Sequence, residues 1–160
     1  EVSLYESAVS SLINQATNWL MNHNIPQRMG SKHPNIAPYG EVFTTRDERS
    51  VTLAIGSDRQ FKNLCTVLEA QNIASQPMYN SNASRVENRE MLADLLQGEI
   101  QNVLADKFLK RCREKFVPAA EIKNVKQVFG EHKAKQMLLS ETLEGRETVR
   151  PRTTAFDIKS

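Results

Sequence analysis

The chain has little of what marks the specialised protein classes. It holds 2 cysteines, Cys65 and Cys112, far apart, with no Cys-x-x-Cys pair and no histidine at ligand spacing. That excludes a disulfide framework and a zinc-finger reading, and metal ligation is not expected. The 3 histidines, His23, His33 and His132, form no cluster. Formal net charge is only +2, so the whole chain offers no electrostatic case for nucleic acid or a membrane surface. No apolar run approaches the ~20 residues of a membrane span, and the first residues show no signal-peptide pattern. Repeats and low-complexity segments are absent. The expectation is a cytoplasmic protein whose two thiols are reduced core residues.

What is present suits an ordinary folded domain: 39% hydrophobic and 25% charged residues can support a core. Glu1 stands just before Ser3-Leu4-Tyr5-Glu6, which has the form of a capping box, and Ser160 follows a strand-like stretch. The chain therefore reads as an internal segment of a longer one. Leu4, Ala8, Leu12, Ala16 and Leu20 recur at i, i+4, and predict one long amphipathic helix from Ser3 to about His23. Pro26, Gly30, Pro34, Pro38 and Gly40 then punctuate a long polar loop, the best boundary between structural units.

Strands are predicted over Glu41–Thr45 and Ser50–Ile55, joined by the charged turn Arg46-Asp47-Glu48-Arg49. Ser57-Asp58-Arg59-Gln60 opens a helix through Phe61, Leu64, Cys65 and Leu68. Asn72–Ser81 reads as loop, because Pro77 cannot stand in a helix interior. A long helix follows from Asn82 to about Asn102, with Val86, Leu92, Leu95, Leu96 and Ile100 on its buried side, and another from Asp106 to Lys115. Val117–Ile122 is a short strand whose Pro118 favours an edge. Asn124 caps a short helix, and extended pieces near Leu138–Leu143 and Thr148–Ile158 flank a turn at Glu144-Gly145. The fold class is α+β, a small mixed or antiparallel sheet covered by helices.

Four motifs in order carry a resemblance. Arg28-Met29-Gly30-Ser31-Lys32-His33-Pro34-Asn35-Ile36-Ala37-Pro38-Tyr39-Gly40 precedes the hairpin, and Gly56-Ser57-Asp58-Arg59-Gln60-Phe61 follows it. Asn82-Ala83-Ser84-Arg85-Val86-Glu87-Asn88-Arg89 and Val117-Pro118-Ala119-Ala120 come next. Together they resemble the middle of a family III CoA-transferase, the family of formyl-CoA and carnitine CoA-transferases and of 2-methylacyl-CoA racemases. The resemblance implies a subunit with a large Rossmann-like domain and a small domain, and two chains interlocked as a homodimer. Residues 1–24 would be a helix of the large domain, 25–40 an interdomain or active-site loop, and 41–160 the small domain.

The chemistry it implies is covalent catalysis by an aspartate expected upstream of the first helix. The substrates are an acyl-CoA thioester and a carboxylic acid, with no further cofactor. Asp47, Asp58, Asp94, Asp106 and Asp157 do not stand in the nucleophile's context, so the segment alone is expected to be inactive. Within it the loop residues Gly30, His33, Pro34, Asn35, Tyr39 and Gly40 correspond to the active-site loop of formyl-CoA transferases. The alternative for this loop is a packed connector; its prolines make it stiffer than a glycine-rich one. Glu41 matches an acidic residue that supports a catalytic histidine in the racemase relatives; otherwise it is a strand-edge glutamate in solvent.

Residues 107–135 hold nine Lys or Arg against three acids, whereas residues 81–106 hold two basic and five acidic residues. A solvated helix face paired with that acidic neighbour is the simplest account. Nucleic acid is not an expected partner, since no aromatic platform accompanies the basic run. Two further functions remain open: racemisation of a 2-methylacyl-CoA, and a non-catalytic α+β module for protein association.

Overall fold

The computed structural model describes residues 2–152. The chain packs as two compact units, Glu1–Glu121 and Ile122–Ser160. The first begins with α1 (Leu4–Ser11) and α2 (Ile13–Asn22). Ser3 caps α1 by accepting from the Glu6 amide at 3.3 Å. The long helix predicted over 3–23 is thus two helices, divided at Leu12. Its apolar stripe is left largely uncovered: neither helix has a buried residue, and Leu4, Leu12, Ile13, Trp19 and Leu20 all stand exposed.

The core of this unit is built on β1 (Tyr39–Thr44), β2 (Ser50–Ala54) and β3 (Ala119–Glu121), an antiparallel sheet in the order β1-β2-β3. Strict alternation in β2 puts Val51 and Leu53 fully inside, with Ile55 just beyond. β3 is an edge strand, as Pro118 requires; the Pro118 carbonyl still accepts from the Ala54 amide at 3.0 Å. The charged turn is held by Asp47, whose Oδ1 accepts from Thr45 Oγ1 and from the Ala105 amide. Arg49 grips Glu121 through Nε and Nη2 at 2.8 and 2.6 Å, and Asp106 through Nη1 at 2.8 Å.

Helices cover the sheet. α3 (Asp58–Val67) starts where Ser57 Oγ accepts from the Gln60 amide, and buries Phe61, Leu64, Cys65 and Val67. The predicted loop over 72–81 instead contains α4 (Gln71–Ala74) and a 3₁₀ turn at Pro77–Tyr79. Pro77 takes the first position of that turn, where its missing N–H costs nothing. The predicted helix 82–102 is α5 (Asn82–Glu87) and α6 (Arg89–Ile100), broken at Asn88. Its buried side is Arg85, Arg89, Leu92, Leu96 and Ile100, while Val86 is half-buried and Leu95 exposed. α7 (Ala105–Glu114) buries Phe108, Leu109 and Cys112.

Arg111 of α7 pairs with Glu69, 3.0 Å away, rather than with an acid of 81–106.

The second unit holds α8 (Val125–Gly130), α9 (His132–Lys135) and a hairpin of β4 (Leu138–Leu143) and β5 (Arg146–Pro151). Asn124 and Gln127 form a reciprocal capping box at the start of α8. Glu144 and Gly145, both at positive φ, make the expected turn. The part of the predicted last strand from residue 153 to Ile158 lies outside the described residues, as does Asp157. The architecture is α+β with small antiparallel sheets. Among the described residues no helix is long and apolar enough to cross a membrane.

Candidate functional site

The segment Ser31–Gly40 is a loop closed on itself. At its neck Ser31 Oγ donates to the Gly40 carbonyl at 2.6 Å, and the His33 amide donates to the Tyr39 carbonyl at 2.8 Å. The neck tolerates only glycine at position 40: φ is +82°, and an added Cβ would lie 1.9 Å from the Ser31 carbonyl oxygen. Gly30, at φ +66°, has open space around it. Inside the loop His33 Nδ1 accepts from the Asn35 amide at 3.1 Å, so the neutral ring carries its proton on Nε2. The His33 and Tyr39 rings meet edge to face at 5.4 Å.

A single helical face holds this loop. Positions 82, 85 and 89 lie within reach of one another along α5 and the start of α6. Asn82 accepts from the Ala37 amide at 3.2 Å and donates to the Asn35 carbonyl at 2.8 Å. Arg85 Nε donates to the Ala37 carbonyl at 2.8 Å, Nη1 to the Tyr79 carbonyl at 3.1 Å, and Nη2 to Asp58 Oδ1 at 2.8 Å. Its guanidinium also lies over the Phe61 ring, 4.6 Å from the centroid, and the side chain is only 1% exposed. Arg89 Nη2 donates to the His33 carbonyl at 2.5 Å and to the Ile36 carbonyl at 2.6 Å.

Glu41 completes the cluster and corrects the solvent-edge reading of this residue. Strand alternation puts its side chain on the same inner face as Phe43, with Val42 turned outward between them, and Glu41 is 3% exposed. Its Oε1 stands 3.2 Å from Arg89 Nε. The angle is too poor for a hydrogen bond, and both carboxylate oxygens and Arg89 Nε are buried without one. Burial pushes the Glu41 carboxyl above its ordinary range, partly offset by nearby main-chain amides, Arg89 and Lys32. Lys32 itself pairs with exposed Glu90 at 2.8 Å. A recess of about 230 Å³ lined by Lys32, Glu41, Phe43, Asp94 and Gln97 opens beside the pair.

On its other side the loop borders a cleft of about 580 Å³, lined by Gln15 and Asn18 of α2 and by the run from Asn24 to Asn35. Asn35 donates to Asn18 Oδ1 at 2.9 Å across it.

Gly30, His33, Pro34, Asn35, Tyr39, Gly40 and Glu41, the candidates read from sequence, therefore share one loop and the strand it enters. Lys32, Asn82, Arg85 and Arg89 were not among them. Their signal was a pair of arginines four apart, in line with Leu92, Leu96 and Ile100, on a helix otherwise apolar along that side. Three of the aspartates among the described residues are engaged in the fold. Asp47 is bonded within its turn, Asp58 to Arg85 and Asp106 to Arg49. Burial pushes the Cys65 thiol up to about 11 and the Cys112 thiol up to about 12, so both stay protonated. Among the described residues no group of three or more His, Cys, Asp or Glu could hold a metal ion.

The chain as a whole has counterparts in proteins of known class. The family model of CoA-transferase family III matches residues 1–159, and the chain belongs to that family. Succinate–glutarate CoA-transferase of Agrobacterium fabrum is 32% identical over 131 residues, which cover 82% of this chain and 32% of that protein. Human succinyl-CoA:glutarate CoA-transferase is 30% identical, over 82% of this chain and 30% of its own length. A CAIB/BAIF family protein from Brucella suis superposes with a TM-score of 0.72 at 32% identity, covering 93% of this chain and 38% of that one. The chain thus spans about a third of the length of the curated relatives it matches.

Proposed function

We propose that the chain is part of an enzyme that moves CoA from an acyl-CoA donor to a carboxylic acid, with the loop Ser31–Gly40 lying against the thioester. Support comes from family membership together with one structural observation: the loop is not a slack connector but is pinned at successive main-chain groups by Asn82, Arg85 and Arg89. A thioester and its tetrahedral intermediates need groups fixed in advance, because donors that must reorganise during reaction stabilise little. The relatives named for succinyl-CoA and glutarate favour a dicarboxylic acid as acceptor.

The nucleophile belongs to the large domain, upstream. Its aspartate attacks the acyl carbonyl and expels CoA thiolate, leaving an acyl-aspartyl anhydride. The thiolate then attacks the aspartyl carbonyl, releasing the donor acid and leaving an aspartyl-CoA thioester. The acceptor carboxylate displaces CoA to form a second anhydride, and the thiolate returns to the acceptor's carbonyl. Each hard displacement is thereby divided into easier ones. Residues 1–24 would belong to the large domain and 41–160 to the small one, within an interlocked homodimer. Racemisation has less support, since the similar proteins named above are CoA-transferases and Glu41 is buried against Arg89.

Succinyl-CoA and glutarate, followed by mass spectrometry, test the proposal. The chain alone should leave both unchanged, and a longer form carrying the upstream aspartate should form glutaryl-CoA. Turnover by residues 1–160 alone would place the nucleophile inside this chain and refute the assignment.

A further inference from the structure

Glu41 and Arg89 pose a question that stability does not answer. Both are buried, at 3% and 7% exposure, and their contact is a poorly angled 3.2 Å approach. A buried ion pair of that quality gains little over a pair of apolar side chains, because two charges must leave water. Burial outweighs the help Glu41 receives from Arg89, as its raised carboxyl shows. The groups facing it are Arg89 on α6 and Lys32 in the loop, with Asp94 and Gln97 lining the same recess.

What the arginine does have is reach. Its planar fork touches three pieces of chain at once: Glu41 on β1, the His33 carbonyl and the Ile36 carbonyl. Nη2 serves both carbonyls while Nε faces Glu41, and a lysine's single ammonium cannot occupy both of those points at once. The two carbonyls lie on either side of Pro34 and Asn35. β1 in turn carries the Gly40 neck.

We propose that Arg89 is a positioning residue: it ties the two shoulders of the Ser31–Gly40 loop to the bulged strand β1, and so sets the loop's shape for the transfer reaction. Glu41 holds the guanidinium in register for that task. The catalytic part of this inference rests on the CoA-transfer reading; the mechanical part does not.

Two measurements separate them. In the 160-residue chain, Arg89→Gln and Arg89→Lys should both speed amide exchange at His33 and Ala37 by about tenfold or more, while the amides of Leu53 and Leu64 stay near wild type. In the longer form that exchanges CoA, the same variants should lower kcat by about tenfold to a hundredfold with KM for acyl-CoA little changed, because misplacement of a positioned group acts on the reacting geometry. Should Arg89→Gln fail to fold, the double variant Glu41→Gln/Arg89→Met removes the pair without stranding a charge and should show the same loop-specific loss. Unchanged loop exchange, exchange raised equally throughout the core, or full rescue by Arg89→Lys would overturn the proposal. If the wild-type protein moves no CoA, the functional reading falls by itself, and the exchange data still decide whether Arg89 shapes the loop.

Discussion

Gly40→Ala should be the most damaging single-methyl change in the loop. Two effects add. An L-residue held in the left-handed region costs about 1–2 kcal/mol, and φ at Gly40 is +82°. The new Cβ would also sit 1.9 Å from the Ser31 carbonyl oxygen, a backbone atom that cannot swing aside. The neck must therefore open, and the hydrogen bond from Ser31 Oγ to the Gly40 carbonyl is lost with it. That bond is worth about 0.5–1.5 kcal/mol net. The sum is about 1.5–3.5 kcal/mol. Gly30→Ala supplies the control: it shares the positive φ, +66°, but meets nothing within 4 Å, so only the conformational part applies. The gain from restricting the unfolded chain is common to both and cancels. In urea titrations followed by far-UV circular dichroism, the two midpoints should differ by about 0.5 M, given typical slopes of about 1–3 kcal/mol/M. Equal midpoints would mean that the Ser31–Gly40 neck is not closed in solution.

Leu64→Ala, at a site with no exposure, should cost about 2–5 kcal/mol. Ser57→Ala, which removes only the cap on the Gln60 amide, should cost about 1 kcal/mol; the reverse order in urea would show the buried face of α3 to be wrongly drawn. Glu41→Gln should flatten the pH dependence of stability. The folded carboxyl titrates above its ordinary 4.5, so the unfolded chain loses its proton first. The wild type therefore loses stability as pH rises from 4.5 through the folded value, and the Gln variant does not. An identical slope in both proteins would remove Glu41 from the balance. Since no residue of α1 or α2 is buried, their amides should exchange far faster than those of Leu53 and Leu64 in dilute protein. Protection of residues 4–20 equal to the core would require a covering surface for Leu12, Trp19 and Leu20.

The elements legible in the sequence are those specified by neighbours in the chain. Alternation of Val51, Leu53 and Ile55 and the Arg46–Arg49 turn gave away the hairpin; Ser57 and Asn124 marked helix starts that the structure reproduces. The breaks at Leu12 and Asn88 were not legible, because no proline or glycine marks either and the apolar spacing runs through both. The short helix at Gln71–Ala74 was read as loop for the converse reason: four residues are too few to show a period.

At the site, periodicity treats charged residues as surface, yet the inner stripe of α5 and α6 begins with Arg85 and Arg89. Their acceptors are loop carbonyls some fifty positions away, between residues 33 and 37. Glu41 misleads in the same way: alternation places it on the inner face with Phe43, but a carboxylate at a strand start reads as solvated.

The measurement that bears most directly on the account is hydrogen exchange of a CoA-exchanging form of the protein, with and without acyl-CoA under non-turnover conditions. If the pinned loop lies against the thioester, residues 30–40 should gain protection on binding, while the interior amides of β2 stay unchanged. Protection elsewhere in the protein, with residues 30–40 exchanging as before, would show that the thioester binds away from this loop and that its closure serves the fold alone.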